Sequence, residues 1–94
     1  MEKTYIGGER LVLSEKENLE LKYYILTQNK FCAEINKKIN IYGIEIESFN
    51  QVFSEVNKVE DITTSRDEIN SIVKLLQKNA VTPIHLNEII EDLI

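Results

Sequence analysis

The sequence predicts an α+β fold: a small antiparallel sheet of three to five strands, followed by two C-terminal helices packed on one face. Apolar and polar residues alternate in the first two thirds of the chain, as is typical of half-buried strands. Two apolar quartets in the last third repeat the spacing i, i+3, i+4, i+7, which is typical of amphipathic helices. Strands that precede helices in the chain favour helices on one face of a sheet.

The N-terminal region is expected to contain an arm and then strands. Residues 1–8 end in two glycines, which predicts a flexible arm before a single α+β domain over residues 9–94. Residues 10–14 form a short strand candidate within a strand region of about 9–60. Residues 19–28 alternate in polarity, which predicts a longer strand with Tyr23 and Tyr24 on opposite faces.

Two turns and an ambiguous strand are expected next. The polar runs 28–30 and 36–38 each predict a turn. The alternation around Gly43 changes phase, and two readings remain open. Either the strand slips by one residue at this glycine, or one long bent strand covers residues 31–49. Residues 55–62 form either a short edge strand or one turn of helix.

The two predicted helices occupy about 65–94 and have recognisable ends. Ser65 and Glu68 have the spacing of a capping box at the start of the first helix. Asn79 is expected as its left-handed C-cap. Thr82 and Pro83 predict an N-cap followed by proline at the first position of the second helix.

Composition argues against several functional classes. The net charge is −5, and the chain has no basic stripe of the kind that binds nucleic acid. One cysteine and one histidine cannot form a disulfide or a cysteine-based zinc site, and no glycine-rich phosphate loop is present. No apolar run is long enough to span a membrane or to serve as the core of a signal peptide. We therefore expect a cytoplasmic protein without a cofactor, a metal, direct nucleic acid binding or a membrane partner.

Several segments resemble a known family. They are Tyr-Gly-Ile-Glu-Ile at residues 42–46, Val-Glu-Asp-Ile-Thr-Thr-Ser at 59–65 and Asn-Ala-Val-Thr-Pro-Ile-His-Leu at 79–86. The chain between about Tyr23 and Leu93 is similar to a family of small cytosolic proteins of unknown function from anaerobic, spore-forming, low-GC bacteria. The resemblance implies no catalytic or binding residues, and it suggests a link to sporulation by association only.

The remaining candidates are contact residues. His85 is the only histidine and is expected in the first turn of the second helix, with Glu88 and Glu91 on the polar side of that helix. Tyr24 and Tyr42 are candidate contact anchors, since tyrosine is favoured at interfaces. We expect a non-enzymatic interaction or regulatory module that binds a protein partner or forms a homodimer. The alternative is a small-molecule sensor with a pocket between sheet and helices, near Tyr24, Tyr42 and His85.

Overall fold

The computed structural model describes residues 1–93 and confirms the α+β arrangement. Four strands are followed by two helices, and a short 3-10 turn at Pro83–His85 leads directly into the second helix. The elements are β1 (Glu2–Val12), β2 (Asn18–Cys32), β3 (Lys37–Phe49), β4 (Ser54–Thr63), α1 (Arg66–Lys78) and α2 (Leu86–Leu93). No helix in this part of the chain is long and apolar enough to cross a membrane.

The sheet is an antiparallel meander in the order β1-β2-β3-β4, so each strand pairs with its neighbour in sequence. Both helices lie on one face, which we call the helix face. α1 contacts all four strands, whereas α2 lies against β4. The opposite side is called the open face.

The core fills the space between the helix face and the helices. Its strand residues recur at every second position, and its α1 residues are those of the predicted quartet. The inward face of the strands and the apolar face of α1 therefore pack against each other in one layer. The buried members that form the cluster are Leu19, Leu21, Tyr23, Ile25, Tyr42, Ile44, Ile46, Ile69, Ile72, Val73, Leu76, Val81, Leu86 and Ile90.

The β2–β3 hairpin extends beyond the rest of the sheet. Pairing with β1 ends at Thr27, and pairing with β4 ends at Tyr42. Residues 28–41 therefore form a two-stranded ribbon that has no neighbouring strand among residues 1–93, and we call it the projecting ribbon. Its turn spans residues 33–36, where Asn36 takes a left-handed φ of 54°.

Several strand boundaries differ from the prediction. Residues 2–8, expected within a flexible arm, belong to β1 and pair with β2. The turn expected at 28–30 is wrong, because these residues continue β2 into the projecting ribbon. The turn expected at 36–38 lies earlier, at residues 33–36. Residues 55–62 lie in an edge strand, which confirms the strand interpretation over the turn of helix.

Gly43 marks a bulge, but the extra residues are in β4. β3 pairs with β2 without a shift at this glycine, so the expected slip within β3 and the single bent strand over 31–49 are both wrong. Opposite Gly43, three residues of β4 lie between Val59 and Thr63, and Asp61 takes a left-handed φ of 56°. β4 approaches so closely that a Cβ at Gly43 would overlap the Val59 carbonyl oxygen.

The start of α1 confirms one half of the capping box and modifies the other. The Ser65 hydroxyl accepts from the Glu68 amide at 3.1 Å, as predicted. Glu68 does not reach the Ser65 amide directly. Instead, that amide donates to the Thr63 hydroxyl, which in turn donates to the Glu68 carboxylate at 3.1 Å.

The connection between the helices is fixed by Ala80 and Tyr23. Ala80, not the predicted Asn79, takes the left-handed conformation, while the Asn79 side chain donates to the Leu75 carbonyl at 2.8 Å. The completely buried Tyr23 hydroxyl donates to the Val81 carbonyl at 2.8 Å. This bond ties the middle of the sheet to the segment that leads into α2.

Replacing Tyr23 with phenylalanine should lower the free energy of unfolding by about 1–2 kcal/mol, because the buried Val81 carbonyl loses its donor. Burial, reinforced by Glu9, raises the pKa of Tyr23 well above its ordinary value of about 10. The folded state therefore holds this phenol neutral, so its contribution is complete below about pH 10 and falls as the pH rises further.

Urea melts between about pH 8 and pH 11 would check this prediction. The Tyr23→Phe variant should lose less stability over that interval than the wild type. Some alkaline loss should remain, because the hydrogen bond to Glu45 raises the pKa of Lys3 and acts in the same direction. Identical alkaline slopes for the two proteins would contradict the assigned role of the phenol.

Candidate interaction surfaces

The predicted residues of the second helix lie together on an exposed surface. His85 is the last residue of the 3-10 turn, and its Nδ1 is 3.9 Å from a carboxylate oxygen of Glu88. Glu91 follows one turn later and is exposed. Among residues 1–93, the Thr82 side chain makes no capping hydrogen bond, and α2 begins at Leu86, later than expected. This surface is the exposed, convex side of a helix and not a cleft.

The two predicted tyrosines lie on opposite sides of the sheet. Tyr42 is buried on the helix face, and the Arg66 guanidinium is 5.7 Å from its ring centre. Tyr24 lies on the open face, with its ring centre 5.5 Å from that of Tyr5. Tyr24, Tyr42 and His85 therefore do not line one pocket between the sheet and the helices.

Tyr24 belongs to a polar cluster on the open face. The Lys3 ammonium is 4.2 Å from its ring centre and forms an ion pair with Glu45, whose side chain is almost buried. The hydrogen bond to this carboxylate raises the pKa of Lys3. The ion pair opposes the charge of Glu45 and joins β1 to β3 across β2.

A groove lies at one end of the sheet. It has a volume of about 620 Å³, within the range of roughly 300–1,000 Å³ that is common for binding pockets. The β1–β2 turn and the β3–β4 loop form its walls. We call it the end groove, and its lining is Lys16, Glu17, Asn18, Glu20, Phe49, Asn50, Gln51, Val52 and Phe53.

The β3–β4 loop holds apolar side chains in solvent beside this groove. The Asn50 side-chain oxygen accepts from the amides of Val52 and Phe53, at 2.8 and 3.0 Å. The Asn50 amide also donates to the Phe53 carbonyl at 3.0 Å, which closes the turn. Val52 remains 88 % exposed, so a turn fixed by three hydrogen bonds presents a hydrophobic residue to the outside.

Charged residues surround the apolar floor of the end groove. Phe49 lies opposite Glu20 on the paired strands, and the Lys22 ammonium is 5.1 Å from its ring centre. Glu20 accepts from Arg10 at 2.7 Å. Residues 9–22 and 47–55, which form this end, contain six carboxylates and three basic side chains. The lining itself has two glutamates and one lysine, so the groove combines an apolar floor with a rim of small net negative charge.

The comparison with protein families matches nearly the whole chain. The model of DUF6514, described as a family of unknown function, covers residues 2–94. The chain belongs to this family. No curated protein and no solved structure matches the chain. DUF6514 membership confirms that the chain belongs to a family of unknown function, and the match includes N-terminal residues outside the segments named in the sequence analysis.

Sequence reasoning did not find the end groove of this DUF6514 chain. Residues 49–53 contain no charged cluster or catalytic motif that would mark a site. One signal was available: asparagine is typical of turns that its own side chain closes, and here two apolar residues follow it at positions 52 and 53. Apolar residues that a turn fixes in solvent indicate a contact surface more directly than the acidic helix does.

Proposed function

We propose that this chain is a non-enzymatic interaction module that binds an apolar segment of a partner protein in the end groove. One observation carries the proposal: the Asn50 turn fixes Val52 and Phe53 beside an apolar groove. Since the turn has already ordered the backbone at these residues, a partner that covers them loses little additional backbone entropy. Covering both should contribute about 3–5 kcal/mol of apolar burial.

The rim defines the kind of segment that fits. Six carboxylates against three basic side chains favour a segment that carries lysine or arginine next to its apolar residues. A cytoplasmic, regulatory role agrees with this proposal. The location is inferred from composition, and the link to sporulation comes from the family resemblance, so neither enters the binding argument.

Selection from a random peptide library displayed on phage would test the proposal. The wild type should enrich peptides with an aromatic or branched apolar residue beside basic residues. A Val52→Asp, Phe53→Asp double variant should not enrich them, because two carboxylates in the groove oppose apolar contact.

The chain offers a matched control for this selection. Ile84 is also highly exposed, but it lies in the 3-10 turn, away from the end groove. The Ile84→Asp variant should enrich the same peptides as the wild type. Peptides that bind the double variant as well as the wild type, or no enrichment over a blank surface, would contradict the proposal.

A further inference from the structure

We infer that the segment bound in the end groove is the tip of the projecting ribbon of a second copy, so that copies of this chain associate head to tail. This inference rests on the proposed function of the end groove and names its partner. The tip consists of Phe31 and the turn at residues 33–36, with Lys37 and Lys38 directly after it.

The tip and the groove lie at opposite ends of one molecule. β2 begins at Asn18, which lines the groove, and ends at Cys32, next to the turn of the ribbon. Its 15 residues span about 50 Å at the usual rise of a strand, and the longest dimension of the molecule is 55 Å. A rigid strand separates the two, so the tip reaches only the groove of another molecule.

The tip has the apolar groups that the groove would receive. Phe31 is 61 % exposed and Ile35 is 55 % exposed. Both are large apolar side chains, and they lie on a two-stranded ribbon of the kind that is only marginally stable without further packing. Contact with Val52 and Phe53 of another copy would cover apolar surface on both molecules.

The charges of the two ends are complementary. Residues 28–41 contain three lysines and one glutamate, in a chain whose net charge is −5. One of these lysines, Lys30, is 3.4 Å from Asp61 at the base of the ribbon. Lys37 and Lys38 directly after the turn and Glu34 within it remain, so the tip has a small net positive charge. The end groove has an acidic rim, so a basic tip approaches it favourably, whereas tip against tip and groove against groove repel.

Head-to-tail contact uses two different surfaces, and this has a geometric consequence. After one contact, the pair keeps one free tip on one copy and one free groove on the other, so association continues into rings or open chains rather than ending at a symmetric dimer. The expected homodimer of the sequence analysis would instead need one self-complementary surface.

Two variants with complementary defects test the inference. The tip variant carries Phe31→Ser and Ile35→Ser, and the groove variant carries Val52→Asp and Phe53→Asp. All four positions are exposed, so circular dichroism should show both variants folded. Sedimentation velocity of the wild type should show masses above two copies as the concentration rises. Each variant alone should associate at least about tenfold more weakly.

Mixing the two variants gives the decisive measurement. An equimolar mixture should form a dimer and nothing larger, since it offers one intact groove for one intact tip. Raising the salt from about 50 to about 500 mM should weaken the wild-type association, because salt screens the attraction between the two ends. Ile84→Asp should behave as the wild type does.

The alternatives give different results. A wild type that stays monomeric at every concentration would overturn the inference, and if its groove still selected peptides the proposed function would stand. A wild type that stops at a dimer, with no complex in the mixture of variants, would overturn head-to-tail contact in favour of a symmetric interface. A wild type that neither associates with itself nor selects peptides would show that the groove is not a binding site.

Discussion

Replacing Ile90 with aspartate is expected to lower the free energy of unfolding by about 4 kcal/mol. Ile90 is almost completely buried within the core, on the face of α2 that lies against the sheet. An aspartate there either buries an unpaired carboxylate or detaches α2 and exposes the apolar surface beneath it. Chemical denaturation followed by circular dichroism would measure the loss, as a lower midpoint with a similar slope.

Leu93→Asp is the matched control for this substitution. It adds the same charge to the same helix one turn later, at a residue that is exposed. Its effect should stay within about 0.5 kcal/mol of the wild type, as is usual for surface positions. If both variants melted like the wild type, α2 would not be docked on the sheet and the core described above would be wrong.

Replacing Gly43 with alanine is expected to cost about 3 kcal/mol, the upper part of the usual range for overpacking. The added Cβ would overlap the Val59 carbonyl oxygen and lie 2.9 Å from the Glu60 Cα. Both neighbours are backbone atoms of β4, and Val59 is paired with Ile44 of β3. Relief would therefore require β4 to move away from the sheet and lose ladder hydrogen bonds. Urea denaturation would measure the cost.

Gly7→Ala is the matched control within the same sheet. A Cβ at Gly7 would lie 2.6 Å from the Gln77 side-chain nitrogen, which is the far end of a flexible side chain on α1. Because that side chain can rotate away, the cost should be below about 1 kcal/mol. Equal losses at the two glycines would show that chain stiffness, rather than the close approach of β4, determines the effect at Gly43.

The sequence predicted the parts of the fold in which burial alternates regularly. Residues 19–26 of β2 and the quartet of α1 have one face in the core, so their periodicity reports their structure. The prediction failed where a strand lies outside the regular core pattern. Residues 28–30 lie in the projecting ribbon, where no core selects an apolar face, and their polar composition resembles that of a turn. Gly7 and Gly8 were interpreted as the end of a flexible arm, although they lie in β1 directly after its bulge.

The candidate surfaces were harder to predict than the fold. The proximity of His85 and Glu88 was not predicted, although a helical turn brings residues three apart together. The separation of Tyr24 from Tyr42 could not be deduced, since it depends on the register of the β2–β3 pairing, in which Tyr24 lies opposite Glu45 and Tyr42 opposite Thr27. The end groove joins the β1–β2 turn to the β3–β4 loop, and only the strand order places these two segments side by side.

The meander order of the strands has a consequence for how the chain folds. Each strand closes onto the one just before it through a short turn, so the pairing of the sheet requires only small loops and little loss of loop entropy. The bond from Tyr23 to the Val81 carbonyl, by contrast, spans 58 residues. During synthesis the hairpins can therefore form one after another as they leave the ribosome. The native state is complete only when the C-terminal segment arrives to cover them.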